Sequence, residues 1–298
     1  MSNDRADFEP EVRNAAWWSG DSRLVANGKG SEAVMYKLGL MEREDLSEVE
    51  AVQMGHVMQP VIGRLASERL QLNLRDADYP MTHANEPWLR SHFDFIDESG
   101  THLVEAKNYG AHQRSKFDDG IIPAADYAQL LHECAVHDVR KATLAVLFGG
   151  QNFETFTFQF SDTQVDEFIK EMAQYWAAVA TRTPLAPETV EQARIIFKNE
   201  SDGAVTANSQ IEKIASALKN IKANIKGYEE EEKKYSAALM SYMGEKNQLV
   251  TIDGTVLATW KAPKPSKRFD AKLFQSSMPD LYEKFMVEQF SSRRFLLK

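Results

Sequence analysis

The sequence predicts an α/β fold, a mixed central sheet flanked by helices, followed by a helical extension that carries a small hairpin. Three observations predict it. Two strand-like runs, 91–96 and 101–107, alternate apolar and polar residues and are joined by the turn-like Asp97-Glu98-Ser99-Gly100, as half-buried hairpin strands are. A helical stretch, Ala124 to Val136, separates them from a second strand pair, Ala142–Phe148 and Phe153–Phe160, around Gly149-Gly150-Gln151-Asn152. Further on, apolar or aromatic residues recur in alternating steps of three and four from Ile211 to Tyr242, with Glu232 the only interruption. That spacing describes one long helix with a coiled-coil-like seam.

In chain order, residues 1–43 form a mixed entry segment in which Glu32 to Leu38 can open a short helix. Residues 44–70 carry helix spacing (Leu46, Val49, Met54, Val57, Ile62, Leu65, Ala66). Pro60 is expected to kink that helix or start a new turn. A helix from Asp162 to about Ala180 follows the second strand pair. Thr183-Pro184-Leu185-Ala186-Pro187 then reads as a boundary. The expected division is a core of 1–185 and an extension of 186–298. Within the extension, Glu229 to Lys234 reads as a solvated face of the long helix. Leu249–Ile252 and Val256–Trp260, around Asp253-Gly254, read as a tight hairpin.

Length and composition narrow the function. The chain has 298 residues, enough for one large core or a core with a smaller appendage. No run approaches the ~20 apolar residues a membrane span needs, and Met1 to Asp7 is polar and acidic rather than a secretory leader. Cys134 is the only cysteine. It reads as core, and it excludes an intrachain disulfide and a cysteine-rich zinc or iron–sulfur site. A cytoplasmic location is expected. The net charge is −9, but the stretch 255–298 holds nine Lys or Arg against four Asp or Glu, so this +5 tail leaves −14 on the remainder. Such a balance disfavours broad coating of DNA and permits a local basic groove.

The residues with the clearest chemical meaning are Asp94, Glu105 and Lys107. Glu105 and Lys107 are two apart on a strand, so they share a face, and the hairpin can bring Asp94 beside them. Two carboxylates suit a hard divalent cation that keeps some of its water. Such a cation neutralises charge developing on a phosphate, and lysine can stabilise the transition state. The backbone carbonyl of Ala106 is a further candidate ligand. The bland alternative for the pair is an exposed cross-strand ion pair. His92, His102, His132 and His137 form no convincing metal set, and no Gly-x-x-x-x-Gly-Lys-Ser/Thr loop is present.

The arrangement of Asp94, Glu105, Ala106 and Lys107 resembles the PD-(D/E)xK nucleases, whose core is restriction-endonuclease-like. More narrowly it resembles the YqaJ-like viral recombinases related to phage lambda exonuclease. Gly28-Lys29-Gly30-Ser31-Glu32-Ala33, Gly55-His56-Val57-Met58-Gln59-Pro60 and Tyr127-Ala128-Gln129-Leu130-Leu131-His132 resemble the family's other motifs. So do Asp270-Ala271-Lys272, Pro279-Asp280-Leu281-Tyr282 and Arg293-Arg294-Phe295, and together they cover roughly 20–298. The resemblance implies a Mg²⁺-dependent deoxyribonuclease, with Mn²⁺ able to substitute. It would act 5′ to 3′ on double-stranded DNA ends and leave 3′ strands for a single-strand annealing protein in phage-type recombination. It also implies a trimeric ring. Asp94 and Glu105 would hold metal, Lys107 would act in catalysis, and Gln129 would help hold the attacking water. Ser31, Lys29 and Arg23 would meet a terminal phosphate, with Arg114 as a loop clamp. Gln59 stands where the family usually has Glu and supplies no charge. Ser31 before Glu32 also suits a helix N-cap, and Arg114 a solvated loop. A structure-specific or restriction-type endonuclease on the same core, and a catalytically weak DNA-end-binding scaffold, are the rival expectations.

Overall fold

The structure is a computed structural model that describes residues 10–76, 80–117, 120–287 and 293–298. The Met1–Asp7 stretch and Glu288 of the basic tail lie outside the described residues. The chain divides into two compact units, residues 1–197 and 198–298.

In the first unit, the short α1 (Pro10–Asn14), α2 (Ser19–Ala26) and α3 (Gly30–Lys37) precede the long α4 (Glu50–Leu70). Strands β1 (Leu74–Asp76), β2 (Met81–Thr82), β3 (Arg90–Ser91), β4 (Phe95–Asp97) and β5 (His102–Tyr109) follow, then a 3₁₀ turn over Ala111–Lys116. Helix α5 (Ala124–His137) crosses to β6 (Lys141–Phe148), which turns into β7 (Asn152–Gln159), and α6 (Asp162–Ala180) and α7 (Val190–Ile196) complete the unit.

The main sheet has the order β1-β4-β5-β6-β7, with β5 and β6 parallel and every other pair antiparallel. It is therefore mixed, as the sequence predicts. β6 is buried from Ala142 to Phe148, which is why it reads as an uninterrupted apolar run. α5 supplies the crossover that a parallel pair requires. The Gly149-Gly150 turn between β6 and β7 needs positive φ at both positions, 59° and 72°, which glycine adopts without penalty.

Alternation sorts the sheet residues to two faces. Leu103, Leu144, Val146 and Phe148 join the larger core with Leu130, Leu131, Cys134 and Ala135 of α5. Val104, Ala145 and Leu147 join a smaller core with Phe95 and with Ile62 and Ala66 of α4. Cys134 is buried and free. One face of the sheet thus belongs to α5 and the other to α4.

One local expectation is corrected and one is narrowed. The run 91–96 is not one strand: Arg90–Ser91 pairs with Met81–Thr82, and only Phe95–Asp97 pairs with β5. Asp94 lies in the break between them, immediately before β4. Phe93 explains the break, because its ring is buried in the larger core, edge-on to His137 at 4.2 Å, while Phe95 belongs to the smaller one. Pro60 starts no new turn, and a single helix runs through it. The buried face of α4 at Ile62, Gly63 and Ala66 holds the helix beyond the proline.

Gly63 is where α4 comes closest to the sheet. A Cβ at this position would sit 2.4 Å from Cζ of Phe95. In an open helix Gly→Ala gains about 1 kcal/mol. Here Gly63→Ala is expected to cost about 1–3 kcal/mol, because the buried Phe95 ring must move, and urea denaturation reads the sign.

The second unit contains α8 (Ser209–Met243), a hairpin of β8 (Gln248–Val250) and β9 (Val256–Thr259), and the short α9 (Ala271–Ser277) and α10 (Pro279–Lys284). Asn208 caps α8 by accepting from the backbone N–H groups of Gln210 and Ile211. The long helix and the hairpin match their predicted positions. Among the described residues no helix is long and apolar enough to cross a membrane.

Candidate active site

Glu105, Lys107 and Tyr109 fall on alternate positions of β5, and the strand passes from buried to half-buried along its length. They face α5, which presents Asp126, Gln129 and Glu133, three and four residues apart and all buried.

Hydrogen bonds join these groups into one network. The Lys107 ammonium donates to Glu105 Oε1 at 2.6 Å. The Gln129 amide donates to the same oxygen at 2.5 Å and to Glu133 Oε1 at 2.8 Å. Arg23 of α2 donates to Gln129 Oε1 at 2.8 Å and to Asp126 Oδ1 at 2.5 Å. The Tyr109 hydroxyl also donates to Asp126 Oδ1, at 2.8 Å. Asp94 enters from the break before β4 and accepts the backbone N–H of Ala106 at 2.8 Å. The hairpin therefore does bring Asp94 to Glu105 and Lys107. Arginine only donates and an ionised carboxylate only accepts, so the Gln129 amide can be oriented in one way. Protein groups occupy it at both ends. In this structure it orients Glu105.

The electrostatics are strained. Burial first, and the neighbouring Glu105 second, raise the Asp94 carboxyl well above its ordinary range, with Lys107 and the Ala106 N–H opposing. Burial also raises Glu133 well above its range, and Glu105 adds to that. Burial works against the Lys107 ammonium, yet Glu105 and then Asp94 outweigh it and raise its pKa above the ordinary value, against opposition from Arg23. Glu105 Oε2 and Glu133 Oε2 are both buried without a hydrogen-bond partner. Unpaired carboxylate oxygens in a dry site are costly, and a bound cation would relieve them.

The residues fit a hard divalent ion on that observation. Among the described residues no three His, Cys, Asp or Glu side chains are disposed to hold one metal. The protein's share of such an ion's shell would be the two predicted carboxylates, Asp94 and Glu105, and the Ala106 carbonyl, a small set that suits an ion keeping several waters.

Other predicted residues lie elsewhere. Gln59 is half-buried on α4, beside Met58, which packs on the smaller core. α4 covers the sheet face opposite Glu105 and Lys107, and no hydrogen bond joins Gln59 to the network in the described structure. Ser31 is buried within α3 and donates to the Ala186 carbonyl at 3.3 Å. It is not the N-cap of α3; that position is Lys29. Lys29 pairs with Glu32 at 3.7 Å, and Arg114, exposed in the 3₁₀ turn, pairs with Glu154 at 2.6 Å. Of the proposed phosphate contacts, only Arg23 reaches the network.

Asp126 and Glu133 are site residues the sequence reading missed. Their signal was available: 126, 129 and 133 recur at helical spacing as a polar stripe in a helix otherwise rich in apolar residues. His132 beside them is structural. It is fully buried, donates from Nε2 to the Arg90 carbonyl at 2.8 Å, and accepts at Nδ1 from Ser22 at 2.9 Å.

No protein-family profile matches the chain. A curated relative does. The chain is 24% identical over 262 residues to the uncharacterized protein YqaJ of Bacillus subtilis strain 168, covering 85% of this chain and 80% of the relative. The chain is thus similar to YqaJ over most of both lengths. The resemblance drawn from its motifs therefore holds along most of its length. Solved structures overlap the chain only partly. An alkaline exonuclease from Laribacter hongkongensis is 11% identical, with a TM-score of 0.46 over 58% of this chain and 91% of its own. A phage-related exonuclease from Haemophilus somnus 129PT is 12% identical, with a TM-score of 0.40 over 51% of this chain and 82% of its own.

His132 also sets a pH dependence of stability in this chain. Burial pushes His132 down to about 4, whereas an unfolded histidine titrates near 6.5. Between those values the unfolded chain binds the extra proton, so stability falls as pH drops from about 6.5 to about 4. The His132 share is about 3 kcal/mol. Asp94 and Glu133, whose pKa values are raised, act with the opposite sign. The test is therefore the difference between wild type and His132→Gln in urea denaturation at pH 7 and pH 4.5, where the variant is expected to show a flatter decline.

Proposed function

We propose that this chain is a metal-dependent deoxyribonuclease that degrades DNA from double-stranded ends. The observation that carries the reading is the grouping of Asp94, Glu105 and Lys107 on the α5 side of the sheet. There a buried carboxylate oxygen lacks any partner and an ammonium stands 2.6 Å from its sister oxygen. A structural ion pair does not need two further buried carboxylates beside it; a site for a cation and a phosphodiester does.

When bound, Mg²⁺ or Mn²⁺ supplies Lewis acidity toward the scissile phosphate. Asp94 and Glu105 hold the ion, with the Ala106 carbonyl as a further ligand. Lys107 stabilises negative charge on the phosphoryl oxygens. Gln129, fixed between Arg23 and the carboxylates, keeps Glu105 in position. Arg23 lies half-buried at the rim of this network, where a terminal phosphate can compete for its guanidinium. By resemblance, the polarity is 5′ to 3′, the product is a 3′ single strand, and a single-strand annealing protein receives it.

The test compares linear and closed-circular duplex DNA with Mg²⁺, using wild type and Lys107→Ala. Digestion of linear DNA alone, reduced at least ~10²-fold in the variant, is the expected result. Cutting of circles indicates an endonuclease on the same core. End binding with no metal-dependent cleavage of either substrate leaves a DNA-end scaffold and rejects the enzyme.

A further inference from the structure

The α8 helix presents an apolar seam along which, among the described residues of its own unit, no helix or strand packs extensively. Ile225, Tyr228 and Tyr235 of the seam are 51%, 70% and 69% exposed, and Leu218 is half-buried. The seam runs in strict heptads from Ile211 to Tyr242, more than four repeats. One core position carries Ile, Leu, Ile, Glu and Leu from Ile211 to Leu239; the other carries two isoleucines and then three tyrosines, ending in Tyr242. A helix of 35 residues is about 52 Å long. An apolar strip running nearly that length, interrupted only at Glu232, marks an interaction surface.

We propose that this seam pairs with the same seam of a second copy of the chain, in antiparallel orientation. Charge decides the direction. Parallel, in-register pairing sets Glu232 against Glu232 inside the seam and aligns the run Glu229–Glu232 with itself, which is repulsive. It also stacks three tyrosines on three tyrosines.

Antiparallel pairing removes each conflict. The two core positions then meet one another, so Ile225 packs on Tyr228 of the second copy, Leu218 on Tyr235 and Ile211 on Tyr242. Every tyrosine faces a smaller aliphatic side chain, the alternation of large and small that fills a core. Glu232 meets Ile221 rather than another carboxylate. Lys222 flanks the seam opposite Glu229 of the second copy, and the N-terminal half, with Lys213, Lys219, Lys222 and Lys226 against Glu212 alone, lies along the acidic run. Such flanking ion pairs set partner choice and orientation in coiled coils. The inference concerns assembly and is independent of the nuclease reading.

Two variants with one added cysteine each test it in the full chain, Leu218→Cys and Tyr235→Cys. The native Cys134 is buried and does not compete. In the antiparallel pair, position 218 lies beside position 235 of the second copy, while the two copies of position 218 are about 25 Å apart along the axis. Each variant expressed alone and mildly oxidised is expected to stay uncross-linked on a non-reducing gel. The two co-expressed with different tags are expected to give a cross-linked dimer carrying both. Light scattering of wild type gives the mass of at least two chains. Cross-linking of either variant alone makes the pairing parallel and overturns the proposal. A monomeric mass overturns it as well, as does a trimer or other assembly in which the mixed variants do not cross-link.

Discussion

Glu105→Gln is expected to reduce cleavage of linear duplex DNA by at least ~10²–10³-fold while leaving the metal-free protein close to wild type in stability. Both halves follow from the same geometry. Glu105 Oε1 accepts from Lys107 and Gln129, but Oε2 has no partner and is buried. The charge on Glu105 raises both Asp94 and Glu133. Neutralising it removes that repulsion but also the ion pair with Lys107, whose ammonium keeps Asp94 beside it, so the two changes largely offset in the apo fold. It also removes half of the negative charge offered to a cation. Thermal melts with and without Mn²⁺ separate the two effects. Wild type should gain stability with metal, as any ligand that binds only the folded state requires, and Glu105→Gln should not. Cleavage by the variant at the wild-type rate would place the chemistry elsewhere. An apo melting temperature well below wild type would show that Glu105 is structural.

Arg23→Met is expected to cost about 3 kcal/mol of stability and a larger share of activity than the folded fraction explains. Asp126 is 2% exposed and depends on Arg23 and Tyr109 for its partners. Removing the guanidinium leaves a buried carboxylate with one hydrogen bond, which is more damaging than deleting the pair. The Arg23 side chain keeps 30% exposure, so water recovers part of the loss and the cost stays at the lower end of that range. Gln129 Oε1 loses its anchor in the same step, which frees the amide that holds Glu105. Urea denaturation of Arg23→Met, Asp126→Asn and the double variant closes a cycle. The double variant should be more stable than Arg23→Met alone. If the two single losses add without coupling, Arg23 and Asp126 do not support each other.

Much of the architecture was legible because the signals were local. The strands 142–148 and 153–160 were set off by a diglycine turn, and α5, α6 and α8 by periodicity. The run 91–96 misled because alternation continued through Asp94, although Phe93 and Phe95 belong to different cores. That division depends on which helix covers each face of the sheet, which no window of sequence records. Glu105 and Lys107 were legible as a pair because a strand fixes residues two apart on one face. Asp126 and Glu133 were legible only as a polar stripe at helical spacing with Gln129, and that spacing does not say that the acids are buried beside Glu105 until their partners are known.

By itself, then, the sequence determined the class of fold, the long heptad helix and the core trio of Asp94, Glu105 and Lys107. Each of these is written in spacing over a few residues or in a repeat of fixed period. Only the tertiary structure decided which helix faces the trio. It set α5 over Glu105 and Lys107, and α4, with Gln59, on the opposite face. It tied Arg23 to Asp126, 103 residues away, and left Ser31 and Arg114 outside the network. The physical reason is that a buried charge is tolerable only where distant segments supply its partners. Those partners are fixed by the packing of the whole sheet and its helices.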